Sequence, residues 1–152
     1  MLTFRNALYV GTVLALAGCQ STDRSAVSYV AVNMPPPVAA QLASDTVGYL
    51  SDNLPPARTT VVVQPGITGL ARDNVSDAMI AALRQKGYGV IVSDITKPNT
   101  GQGTPIRFLV SRIENGVLLR MQYPGREVTR YYVRTSADGL MPASSFIVRE
   151  SR

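Results

Sequence analysis

Arg126, Arg130 and Arg134, with Tyr132 between the last two, invite a chemical reading first. Residues an even number of positions apart point to one side of a strand, so all four are expected on a single face. Guanidinium groups interleaved with an aromatic ring can pair phosphates and stack bases, the usual way of holding single-stranded nucleic acid. The plainer reading is a solvated face of antiparallel sheet, which shows the same alternation without any ligand, and it is the one adopted. The arginines equally suit acidic residues of another subunit. Glu114 and Glu127 are carboxylates that a meander could pair for general acid–base work, but nothing sets a substrate cleft between them, and they read as surface charge. The chain has no histidine and a single cysteine, which removes histidine-dependent triads, His/Cys zinc sites and any intramolecular disulfide. Ser144 and Ser145 lack a nucleophile-elbow turn, and a Ser–Lys pair would have only Lys86 or Lys97 to draw on. Gly66-Ile67-Thr68-Gly69 and Gly101-Gln102-Gly103 have neither the lysine nor the spacing of a phosphate loop and read as turns. No catalytic residue, metal site or cofactor is expected.

The cysteine has another use. Arg5 gives a positive start, Ala7 to Ala17 is an apolar run too short to span a bilayer, and the run stops at Leu16-Ala17-Gly18-Cys19. Small residues before a cysteine at the end of such a run resemble the bacterial lipobox. That resemblance implies an 18-residue signal peptide cut after Gly18 and acyl chains on Cys19. Two or more chains hold a protein stably, at about 0.8 kcal/mol per buried methylene. Gln20 stands where an aspartate would resemble an inner-membrane retention signal, which points to the outer membrane, with the remaining chain facing the periplasm.

Charge is unevenly spread. From Ser21 to Pro105 six Lys/Arg balance six Asp; from Ile106 to Arg152 eight arginines face four acids. The excess therefore sits in the last third and favours anionic partners, whether lipid headgroups, nucleic acid or an acidic protein.

The elements that must position these residues follow from pattern. Residues 19–37 comprise the acylated cysteine and a Ser/Thr/Val-rich stretch ending in Pro35-Pro36-Pro37. They read as a polyproline-like tether reaching up to about 55 Å, with the periplasmic domain spanning 38–152. Val38, Leu42, Thr46 and Leu50, flanked by Ala39, Ala43 and Val47, predict a helix that ends before Pro55-Pro56. Thr59 to Gln64 is a β-branched strand buried on both faces. Val75, Met79, Ala82 and Lys86, with Ala78 and Leu83, predict a second helix, acidic at its start, basic at its end and stopped by Gly87. Tyr88 to Ser93 is a strand, and Lys97 to Pro105 a polar loop. Strands over Ile106–Glu114 and Val117–Tyr123 meet across Asn115-Gly116, a strong hairpin signal. Pro124-Gly125 turns into a strand over Arg126–Thr135, and Ser145–Glu150 is the last. The sum is a two-layer α+β sandwich, two helices packed on a mainly antiparallel sheet with a C-terminal β-meander.

Ala78 to Asp94, Ile106 to Ile113, Gly116 to Arg120, Glu127 to Tyr132 and Pro142 to Arg149, in that order, resemble the conjugal transfer lipoprotein TrbH family. The likeness covers about half the chain, and the lipobox agrees with it. It implies an outer-membrane lipoprotein serving as a structural or assembly component of the mating-pair-formation, type IV secretion apparatus that transfers plasmids. Its partners would be the outer membrane and other channel subunits. A periplasmic module binding DNA or another polyanion is the competing expectation. The family brings no catalytic residues, and Pro142-Ala143-Ser144 is its candidate docking or closing segment.

Overall fold

A computed structural model describes residues 28–65, 67–68, 71–93 and 102–150. Cys19, with Leu16, Ala17 and Gly18, lies outside them, as does Lys97. Helix α1 spans Pro36–Asn53 and helix α2 Asn74–Lys86. Ten strands are described: β1 (Tyr29–Val30), β2 (Thr60–Val63), β3 (Ile67–Thr68), β4 (Ala71–Arg72), β5 (Gly89–Val92), β6 (Thr104–Ile113), β7 (Gly116–Tyr123), β8 (Arg126–Arg134), β9 (Leu140–Pro142) and β10 (Ile147–Glu150). Eight of them form one mixed sheet in the order β10-β8-β7-β6-β2-β5. The meander β6-β7-β8 is antiparallel, while β2 runs parallel to both β5 and β6. Two short strands complete it: β1 lies along β6 beyond the end of β2, and β9 shares an edge of β8 with β10. The α+β sandwich is therefore present, with a parallel unit, β2-α2-β5, on one side of the meander. The loop before α2 carries the small antiparallel pair β3–β4.

Both helices form where the apolar stripes place them. α1 buries Ala39, Leu42, Ala43, Thr46, Val47 and Leu50; α2 buries Val75, Ser76, Met79, Ile80 and Leu83. The α2 stripe is thus rotated toward Ile80, leaving Lys86 exposed. The Asp73 side chain accepts the Ser76 amide at the amino end, and Gly87, at φ 96°, closes the other end in the left-handed region. The helices pack against one sheet face through a single cluster that includes Val61, Val63, Phe108, Val110, Leu119, Met121 and Val128. β2 is buried on the helix side only: Val61 and Val63 are fully covered, Val62 half so.

Three expectations need correction. The stretch read as a tether already belongs to the fold from Ser28 onward: Val30, Val32 and Met34 are core residues, and β1 is hydrogen-bonded into the sheet. Tyr29 and Val30 pair as a strand once a β6 edge is available, a condition that local sequence does not disclose. Of the three prolines, Pro35 is extended (φ −57°, ψ 144°), while Pro36 and Pro37 open α1, where a missing amide costs nothing. Finally, the β6–β7 loop is Glu114-Asn115, because Ile113 pairs with Gly116. Glu114 takes the left-handed φ of 49°. Gly116 is a strand residue whose added Cβ would strike the Tyr132 carbonyl and the Tyr131 ring. Its small size serves strand packing instead of the turn.

Candidate functional site

Arg126, Arg130, Tyr132 and Arg134 do share one face of β8, but that face looks toward the helices. The solvated-face reading is overturned for its middle. Val128 and Tyr132, on the same side, are core, and Arg130 reaches across to α1. Its Nη1 lies 2.9 and 3.0 Å from the two Asp45 carboxylate oxygens, and its Nε donates to the Ser144 carbonyl at 2.8 Å. Tyr132 donates its hydroxyl to the same carboxylate. Burial first, and then Asp45, push the Tyr132 hydroxyl far above its ordinary range; Arg130 offsets only part of this. The phenol therefore stays protonated and keeps donating. The Arg130 guanidinium also sits 4.6 Å from the Phe146 ring centroid, and that ring tilts against Tyr49 at 4.3 Å. The group is a clamp that fastens the chain leading into β10 to helix α1. Only Arg126 and Arg134, at the two ends of the strand, are exposed, and Arg126 donates to Asn53 at 3.0 Å. A continuous ladder for phosphates and bases is not assembled here.

The other candidates separate. Glu114 sits in the β6–β7 turn, whereas Glu127 lies on β8 beside the opposite end of β7, bonded to Gln122 and 3.5 Å from Arg120. Ser144 contributes its carbonyl to Arg130, and Ser145 is exposed. Gly103 has φ 104°, and a Cβ there would come within 2.9 Å of the Thr60 carbonyl, so it permits β6 to approach β2. Among the described residues there is no cluster of carboxylates and cysteine suited to a metal, and no helix is long and apolar enough to cross a membrane.

What the described residues do present is a sheet face that neither α1 nor α2 covers. Strand registers align its side chains in rows. Tyr29, Leu109, Arg120, Thr129 and Ile147 form one, and Arg107, Gln122, Glu127 and Arg149 the next. A shallow cleft of about 190 Å³ lies between them, lined by Arg107, Leu109, Arg120 and Gln122. Further along are Ile113, Val133 and Met141, with Tyr131 over Gly116. Tyr29, Met141 and Ile147 are 57%, 55% and 64% exposed, which is unusual for large apolar groups gathered on one side. Strand β10, exposed at all four residues, ends the sheet and has an unpaired backbone edge among the described residues. Sequence reasoning placed the strand that carries Arg120. It missed Asp45, a carboxylate at the margin of the α1 stripe whose partner is 85 residues away, and it missed the alignment of Arg107 and Arg149 with Glu127.

Among the described residues, this small α+β domain has one open sheet face, two edge strands, β10 and β5, and an internally satisfied ion pair. The chain belongs to the TrbH family of conjugal transfer proteins, whose family model matches residues 20–151. Its role therefore lies in conjugation and type IV secretion, which sets it at the cell envelope. No curated protein and no solved structure matches it.

Proposed function

We propose that this chain is an outer-membrane lipoprotein, acylated at Cys19, whose periplasmic domain is a non-catalytic assembly component of the conjugative secretion channel. The observation that carries the reading is the family match over residues 20–151, reinforced by Leu16-Ala17-Gly18-Cys19 ahead of it. The geometry supports it in kind. An exposed final strand can accept a partner strand through backbone hydrogen bonds, with specificity supplied by alternate side chains. The arginine that sequence would offer to a polyanion is instead held by Asp45 and Ser144, which favours assembly over polyanion binding. Deletion of the gene, complemented by the wild-type chain or by Cys19→Ala, tests the proposal through plasmid transfer frequency and envelope fractionation. Transfer should fall on deletion and be restored only by the acylated form, recovered with outer membranes. Unchanged transfer and an unchanged set of channel subunits after deletion would refute the assembly role.

A further inference from the structure

The uncovered sheet face and the attachment point lie close together along the chain. Ser28 is pinned: its amide donates to the Gln64 carbonyl at 3.2 Å, and its hydroxyl accepts the Phe108 amide at 3.2 Å. Ser28 follows Cys19 by nine positions, so an acyl group on Cys19 could be no more than about 32 Å from Ser28 even with the chain fully extended. The next residue, Tyr29, belongs to the uncovered face and projects its ring into solvent. The row that Tyr29 begins crosses β6, β7 and β8 and ends at Ile147, four strand spacings or about 19 Å away. Arg120 lies in this row and Arg107 and Arg149 in the adjacent one, with Glu127 the single acid among them.

We infer that this face, Tyr29, Ile147, Arg107, Arg120 and Arg149 together, docks flat on an anionic lipid surface, the leaflet in which the chain is anchored. The inference rests on the lipid-anchor reading and extends it, since a lipid anchor by itself does not fix which face of the domain meets the membrane. Two features favour lipid over an acidic protein. A tyrosine ring beside aliphatic side chains and arginines suits the headgroup boundary, where amphipathic rings settle and arginine stems lie along apolar surface. The short link from Cys19 also holds the face near the leaflet, so docking is intramolecular and needs only weak contacts. Each arginine within reach of an anionic leaflet multiplies the docking equilibrium by about five. Docking would direct the helix layer away from the membrane and leave the β10 edge at the side of the domain for a neighbouring subunit.

The chain contains no tryptophan, so Tyr29→Trp introduces a single fluorescent reporter on the docking face, and Gln85→Trp places one on the exposed side of α2 as a control. Each full-length variant, purified from envelopes, is reconstituted in vesicles whose acyl chains are brominated. One set is equal parts phosphatidylglycerol and phosphatidylcholine, the other phosphatidylcholine alone. Bromine should quench the docking-face reporter strongly in the anionic vesicles and weakly in the neutral ones, and leave the helix reporter unaffected. Arg107→Gln with Arg149→Gln, both at exposed positions, should lower the docking equilibrium about 25-fold. Equal quenching of the two reporters, or quenching of the docking-face reporter that ignores lipid charge and the arginine substitutions, would overturn the inference. If that reporter stays unquenched and the arginine double variant still loses plasmid transfer, the face belongs to an acidic protein instead. Flotation with neutral vesicles reads the anchor separately. A chain that fails to float refutes the anchor, whereas one that floats with its docking-face reporter unquenched refutes the docking alone.

Discussion

Asp45→Ala tests the internal clamp most directly. The Asp45 carboxylate receives Arg130 and Tyr132 at once, and the ionised side chains of Asp45 and Arg130 are 32% and 17% exposed. Breaking a fully buried pair from one side costs about 3–5 kcal/mol, because the remaining charge is left desolvated and unpaired. Water still reaches part of this pair, which brings the expectation down, but the Tyr132 hydroxyl, on a residue only 2% exposed, also loses its acceptor, which adds about 1 kcal/mol. A net loss of about 2–3 kcal/mol follows, or a fall in Tm of about 8–12 °C for a domain of this length. Urea and thermal unfolding measure it. A cycle with Arg130→Met should show coupling of about 1 kcal/mol or more, since removing the orphaned arginine recovers part of the loss. A single-variant loss under about 0.5 kcal/mol, or strict additivity in the cycle, would refute the clamp. Hydrogen exchange adds a spatial check, because the β10 amides should lose protection in Asp45→Ala before those of β6.

Other outcomes can be checked alongside. Gly116→Ala should destabilise the fold by about 1–3 kcal/mol through overpacking against Tyr131 and Tyr132, whereas Gly125→Ala, with open space around it and φ 77°, should cost only about 1 kcal/mol; thermal melts of the pair separate crowding from backbone strain. Deleting residues up to Met34 should abolish cooperative unfolding, since it removes three core side chains and the acceptor of Asn74, the Met34 carbonyl; circular dichroism during heating would show a surviving transition if the tether extended that far. Burial first, then Asp52 and Tyr123, raise the Tyr88 hydroxyl from 10.0 to about 12, and it donates to the Leu54 carbonyl at 2.6 Å. Its contribution is thus fully present below pH 10 and is lost as pH rises from about 10 to about 12. Stability measured across that window should fall more steeply in the parent than in Tyr88→Phe.

Local chemistry in the sequence determined a good deal. Apolar residues at helical spacing located both helices, and Gly87 marked the end of the second, while the Asp73 cap at its start emerged only from the structure. Pro124-Gly125 set the β7–β8 turn, where proline supplies the first turn position and glycine the positive φ. The ordered sequence blocks reached the right family. Those signals depend on neighbours a few positions away, so the chain states them directly.

Tertiary structure alone decided which face of β8 is buried, because alternation names two sides without saying which meets the helices. Arg130 became an internal cation only when folding brought Asp45 to it across 85 residues. Val30, Val32 and Met34 became core instead of tether once β6 offered an edge and α2 offered Asn74 to the Met34 carbonyl. The rows of the open face likewise exist only after strand registers align residues from five separate segments. Each of these outcomes is a long-range pairing whose energy depends on what is desolvated together, and no local pattern in the chain encodes that.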